Sequence, residues 1–176
     1  MAEHPQAAAR AQAEVDALLA GRGPSAEHAA FLPWLNATLK VAMRSYPPVA
    51  ALLTRRTTAD ITHDGRAQAK GSLLRIAPWA IKRAARWFDA PDAFRPHRFL
   101  PSALLPPRGA WWPFGTGPWV CLGQHSAMLE TTLIAALRLQ RFTLALLSNT
   151  PPADPVLHVT LRPRHGFHLM LPPRAI

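Results

Sequence analysis

Prolines at positions 91, 96, 101, 106, 107, 113 and 118 recur too often for a helix or strand to establish itself between them. Residues 89–118 therefore read as a long meander whose path must be held by side-chain contacts. Segments of this length without regular structure inside compact domains are usually functional. The chain on either side of it is different, because apolar residues there recur with helical or strand periods.

Ala11, Val15, Leu18 and Leu19 make the apolar stripe of a surface helix over residues 5–20, and "GRGPS" ends it. Ser25 is the expected N-cap of a second helix, in which Leu35, Leu39, Ala42 and Met43 fall at helical spacing until "YPPV" stops it. Arg44 then lies in the last turn. "VAALLTRRTTADIT" followed by "HDG" predicts a strand and turn, and "SLLRIAPWAIKRAARWF" a strand that becomes a short helix after Pro78. Beyond the meander, Leu129, Leu133, Ala136 and Leu137 mark a helix to about Arg141. "FTLALL", "LHVTLRP" and "FHLML" read as three short strands. The expected class is mainly α with small β-sheets, an α+β arrangement.

About half the residues, 49%, are apolar, enough for a real core in 176 residues. No run of eighteen uncharged apolar residues occurs and the N-terminus is charged throughout, so neither a membrane span nor a secretory signal is expected, and the default location is cytoplasmic. Lys and Arg number 20 against 10 Asp and Glu, a balance that suits an acidic partner. Nucleic acid is not expected as a partner. The arginines are scattered singly or in pairs, without a basic stripe, finger spacing or aromatic RNA-binding signature.

The single cysteine, Cys121, cannot form an internal disulfide and sits in "WWPFGTGPWVCLGQHSAMLE". Gly115, Gly117 and Gly123 permit positive φ and close backbone approach, so a flat ligand could lie against this loop. A helix starting near Leu122 would aim its unpaired N–H groups back at the sulfur. A lone thiolate so placed is what heme iron takes as its protein axial ligand, with the other face open to oxygen. The competing reading is an inert cysteine buried as a small hydrophobe at a helix start.

The loop resembles the heme-binding loop of the cytochrome P450 family: Phe114, Gly117, Cys121 and Gly123 match its Phe, Gly, Cys and Gly. "FRPHRF" resembles the family's meander motif through Phe94, Pro96, Arg98 and Phe99. "LPWLNATLKVAMRSYPPV" is similar to the helix that carries the family's Glu-x-x-Arg pair. "TRRTTAD" is similar to the strand entry where Arg55 would meet a heme propionate, "LGQHSAMLE" to the start of the proximal helix, and "VTLRPRHGF" to the closing strands. The resemblance implies heme b, iron protoporphyrin IX, ligated through Cys121. It also implies a monooxygenase that inserts one atom of O₂ into a small organic substrate, with a ferredoxin or flavoprotein reductase as redox partner.

The departures bear on the same site. Val41 stands where the family has the Glu that pairs with Arg44 and with the meander arginine, here Arg98. Arg44 could then turn to solvent, find another acid or loosen the fold, while Val41 itself could simply join the apolar face beside Ala42. Trp119 stands where Arg or His usually serves a propionate, and His97 replaces the meander's usual acid. The resemblance begins at the helix before the Glu-x-x-Arg helix. Residues 1–176 are accordingly read as a single partial domain, the C-terminal part of the fold, without the long distal helix and most of the substrate pocket. Two functions remain: a monooxygenase whose distal half comes from a companion chain, or a non-catalytic heme-binding fragment, a degenerate remnant.

Overall fold

The structure is a computed structural model and describes residues 1–51 and 53–175. Leu52, within the segment read as a strand, lies outside the described residues. Helix α1 (Pro5–Leu19) opens with Pro5, whose missing N–H would be unpaired there anyway, and ends where Ala20 and Gly21 turn left-handed at φ 46° and 82°. Its buried residues, Ala7, Ala11, Val15 and Leu19, repeat every fourth position. They pack with Leu32, Trp34, Leu35, Ala136 and Leu139 into the main core.

The helix expected from Ser25 onward is divided. Ser25 does cap, exchanging contacts with His28 Nδ1 at 2.9–3.0 Å, but it caps a 3-10 turn, Ala26–Phe31. A separate helix α2 (Pro33–Ser45) then starts on Pro33. Proline suits a first turn and breaks an interior, so it makes the boundary. Helix α2 has no cap of its own. The Glu14 carboxylate of α1 accepts instead from the N–H groups of Trp34 at 2.8 Å and Leu35 at 2.9 Å, capping α2 from a neighbouring helix.

Strand β1 (Leu53–Arg56) and, after an inner hairpin of β2 (Ile61–His63) and β3 (Arg66–Gln68), strand β4 (Leu73–Ile76) pair antiparallel, with Arg55 opposite Leu74. The inner hairpin turns through Asp64 and Gly65, both at positive φ. Strand β4 leads into the short helix α3 (Pro78–Ile81). Residues 89–118 then wander as expected, their regular structure limited to 3-10 turns at Pro96–Phe99 and Gly117–Trp119. Side chains hold this path: Phe88, Phe99 and Ala110 bury themselves against Ala37 and Val41 of α2, forming a second core cluster.

Helix α4 (Gln124–Arg141) ends at the residue the periodicity indicated. After it come two small antiparallel pairs: β5 (Ala145–Leu146) with β8 (Leu169–Met170), and β6 (Pro155–Leu157) with β7 (Leu161–Pro163). "LHVTLRP" is therefore not one strand, because the chain reverses at residues 158–160, where the His158 N–H donates to the Thr160 carbonyl at 3.2 Å. The C-terminal segment is tied back by Arg174. Its guanidinium forks onto both Asp16 carboxylate oxygens at 3.0 and 2.7 Å and also reaches the Leu139 and Gln140 carbonyls at the end of α4. Among the described residues no helix is long and apolar enough to cross a membrane.

Candidate functional site

The Cys121 loop is built by its backbone. The Cys121 N–H donates to the Phe114 carbonyl at 2.8 Å, closing residues 114–121 into a ring, and the Val120 N–H donates to Gly117 at 3.2 Å within it. Gly115 makes the closure possible. It sits at φ +80°, and a Cβ there would stand 2.7 Å from the Trp119 carbonyl oxygen, which no relaxed side chain could tolerate. Gly117 also holds a left-handed conformation, at φ +62°, but in open space. Gly123 needs neither: it is the N-cap of α4 at φ −84°, and an added Cβ would meet Cys121 Sγ at an ordinary 3.9 Å.

Cys121 is exposed, not buried as an inert hydrophobe. Beside it lie other exposed apolar side chains, Trp119 at 70% and Leu122 at 98% of their full surface, with Val120 between. Strand β1 brings Arg55 to the same place, its guanidinium carbon 4.6 Å from the centre of the Trp119 ring. Arg55 also donates to the Thr54 carbonyl, leaving the rest of its planar fork outward. A porphyrin asks its protein for one axial donor, an apolar face and cations for its carboxylates. An exposed thiol flanked by exposed apolar side chains, with an exposed arginine stacked on one of them, fits that request.

Phe114 is half-buried on another side of the loop. With Trp111, Trp112, Gln124, His125 and Met128 it lines a cleft of about 730 Å³ between the loop, α2 and the start of α4. Cys121 and Arg55 do not line this cleft. The structure thus brings Cys121, Trp119 and Arg55 together on one surface, with Gly115 and Gly117 shaping it and Phe114 supporting it from behind through its carbonyl. Sequence reading grouped Gly115 with Gly117 and Gly123 as permitting positive φ, and the structure singles it out as the one whose Cβ could not be accommodated. The Phe-Gly-x-Gly stretch, with the cysteine seven positions after its Phe, is the signal that marks it.

Behind the loop, the arginines of α2 and the meander do not turn to solvent. Arg44 is fully buried, donating from Nη1 to the Lys82 carbonyl at 2.9 Å and from Nη2 to the Ala93 carbonyl at 3.2 Å, beneath the Phe88 ring. Arg98 donates to the Asp89 and Ala90 carbonyls. Main-chain oxygens have thus taken the place of the missing carboxylate. Val41 is buried with Ala37, Phe88, Phe99 and Ala110, so it does join the apolar face. The Nε atoms of both Arg44 and Arg98 are buried without a partner among the described residues. Burial, with the like charges of Arg98 and Arg83 added, lowers the Arg44 guanidinium to about 10 against a small opposing pull from Asp92.

Two members of this region were not foreseen. Arg83 stacks on Trp79 at 3.4 Å, and its Nη1 too is buried without a partner. Lys82 is 1% exposed, and burial lowers its ammonium to about 8. Helix α3 ends at Ile81, so Arg83 reaches Trp79 from the turn after it and not along a helical face. Nothing local marked Lys82 as buried.

A family model described as Cytochrome P450 matches residues 1–170. Cytochrome P450 monooxygenase ABA2 of Pyricularia oryzae is 38% identical over 152 residues, covering 82% of this chain and 36% of its own length. A Mycobacterium tuberculosis protein provisionally named cytochrome P450 132 is 35% identical over 176 residues, covering 97% of this chain and 36% of its own. Among solved structures, retinoic acid-bound cyanobacterial CYP120A1 superposes with a TM-score of 0.89 at 27% identity, across 98% of this chain and 40% of that one. The chain therefore spans about a third of the length of the curated relatives it matches.

Proposed function

The chain belongs to the cytochrome P450 family, and from that premise we propose that it is the heme-ligating portion of a heme-thiolate monooxygenase, with Cys121 as the axial ligand. The observation that carries this reading is the exposed Cys121 thiol at the mouth of α4, on a loop closed by its own N–H and bordered by Trp119, Leu122 and Arg55. Heme, when bound, supplies oxygen activation with two electrons and two protons, one oxygen atom entering an organic substrate and the other leaving as water.

The residues of this chain have narrower tasks. Cys121 donates the sulfur from two residues before Gly123, the N-cap of α4. Gly115 and Gly117 keep the loop free of Cβ atoms where it turns. Trp119, Val120 and Leu122 offer the apolar face and exclude water from the ligand side. Arg55 holds one propionate, and Trp119 orients Arg55 by stacking rather than by supplying the second cation that the family usually has at that position. Phe114 fixes the cysteine through the hydrogen bond from the Cys121 N–H.

Because the chain spans about a third of its relatives' length, the complete reaction is proposed for this portion together with the rest of such a fold, whether on a longer polypeptide or on a companion chain. The net charge of +10 favours an acidic electron donor, a ferredoxin or flavoprotein reductase. A second reading, a non-catalytic heme binder, is favoured by one observation: Arg44 is buried without the carboxylate that would lock the meander beneath the loop.

Titrating hemin into the purified chain tests the assignment. Wild type should bind with a thiolate-type spectrum, Cys121→Ala should lose that spectrum, and Arg55→Ala should keep it with weaker affinity. An unchanged spectrum in Cys121→Ala would remove Cys121 as the ligand.

A further inference from the structure

The cleft of about 730 Å³ between α2, the meander and the start of α4 has room for a small molecule. Sites for such ligands usually measure about 300–1,000 Å³ and combine apolar walls with a few polar groups. Thr116 and His125 on its wall are exposed, so the cleft is entered directly from solvent. Its meander wall is aromatic. Trp111 packs on Phe99 with ring centres 4.9 Å apart, and both line the cleft. Trp112 spends its indole N–H on the Gly109 carbonyl at 2.9 Å, so what it offers a ligand is ring surface.

One charge stands across from these rings. Lys40 of α2 lines the cleft half-buried, and among the described residues no Asp or Glu lines it with Lys40. Nor is Lys40 in any ion pair among them. The neighbouring polar side chains are engaged locally. Asn36 donates to the Ala29 carbonyl at 2.7 Å and accepts from the Thr132 hydroxyl at 2.9 Å, while Gln124 and His125 contact each other at 3.4 Å. An ammonium with no carboxylate beside it, set against flat apolar walls, matches a ligand with one negative charge on a flat apolar body. A neutral aromatic molecule would leave that charge unmet, and an aliphatic acid would forgo contact between rings.

We propose that this cleft binds a planar aromatic monocarboxylate, its ring system against Trp111 and Trp112 and its carboxylate accepting from the Lys40 ammonium. Cys121 and Arg55 do not line the cleft, so binding requires no heme. The site stands or falls apart from the monooxygenase reading.

The test uses the full chain without heme and naphthoate as the probe, at constant ionic strength. Naphthamide serves as its uncharged analogue and cyclohexanecarboxylate as its non-aromatic one. In ¹⁵N-resolved NMR the indole N–H resonances of Trp111 and Trp112 should move saturably with naphthoate, while those of Trp34 and Trp87, which do not line the cleft, stay fixed. Naphthoate should bind more tightly than either analogue, by about tenfold over the amide, the worth of one hydrogen bond to a charged group. Lys40→Met should lose that preference while binding naphthamide as wild type does, which separates a lost charge from a lost fold. Resonances of Trp111 and Trp112 that stay fixed, equal affinity for naphthoate and either analogue, or an undiminished preference in Lys40→Met would each overturn the proposal.

Discussion

Replacing Val41 by Glu asks whether a carboxylate still belongs in this interior. Residue 41 lies one helical turn before Arg44, on the same face of α2, and is fully buried beside Phe88 and Phe99. A glutamate there would stand one turn from Arg44, whose Nε is buried without a partner among the described residues. Breaking a buried pair of this kind costs about 3–5 kcal/mol, which bounds what restoring it can return. Losing the buried valine side chain takes back about 1.5–3 kcal/mol. The expected net is a gain of about 2 kcal/mol, or roughly 4–8 °C in melting temperature for a domain of this size. Val41→Gln is the control, since it matches the size but brings no charge, and it should melt below wild type. Differential scanning calorimetry in a buffer without small carboxylates reads all three. If Val41→Glu melts no higher than Val41→Gln, the arginine cluster does not need negative charge and the reasoning fails.

Lys82 predicts a pH dependence of the opposite kind from that of a paired base. Burial lowers its ammonium from an ordinary 10.5 to about 8, so between those values the unfolded chain holds a proton that the folded chain has shed. Stability should therefore rise as pH climbs from about 8 to 10, by up to about 3 kcal/mol, the full penalty applying below pH 8. Urea unfolding at several pH values should show Lys82→Met more stable than wild type at pH 7, with that slope reduced. Glu14→Gln should cost about 1–2 kcal/mol by urea unfolding, because it removes the charge capping α2, while Glu14→Asp should recover little, the carboxylate no longer reaching both N–H groups. Gly115→Ala should abolish hemin binding while far-ultraviolet circular dichroism stays unchanged, its Cβ striking the Trp119 carbonyl; Gly123→Ala, with 3.9 Å to the sulfur, should bind hemin normally.

What the sequence disclosed and what it concealed divide along the range of the interactions. The stripe of α1, the end of α4 at Arg141 and the irregular path of residues 89–118 rest on residues a few positions apart, and periodicity and proline spacing report those directly. The break at Pro33 was equally local, and the proline's preference for a first turn marked it. Turn chemistry was silent at residues 158–160, which reverse direction without glycine or proline. The cap that Glu14 lends to α2 crosses twenty positions, and the bonds from Arg44 to Lys82 and Ala93 cross 38 and 49; no local pattern encodes such partners. At the site, the motif positions of Cys121 and Arg55 were readable, whereas the stacking of Arg55 on Trp119 depends on where β1 is carried by the fold.

The ligand itself is most directly tested by the absorption spectrum of the heme-reconstituted chain, reduced and exposed to carbon monoxide. The account predicts a Soret band of the thiolate type that disappears in Cys121→Ala. A band of the histidine type in wild type, or one that persists without the sulfur, would contradict it.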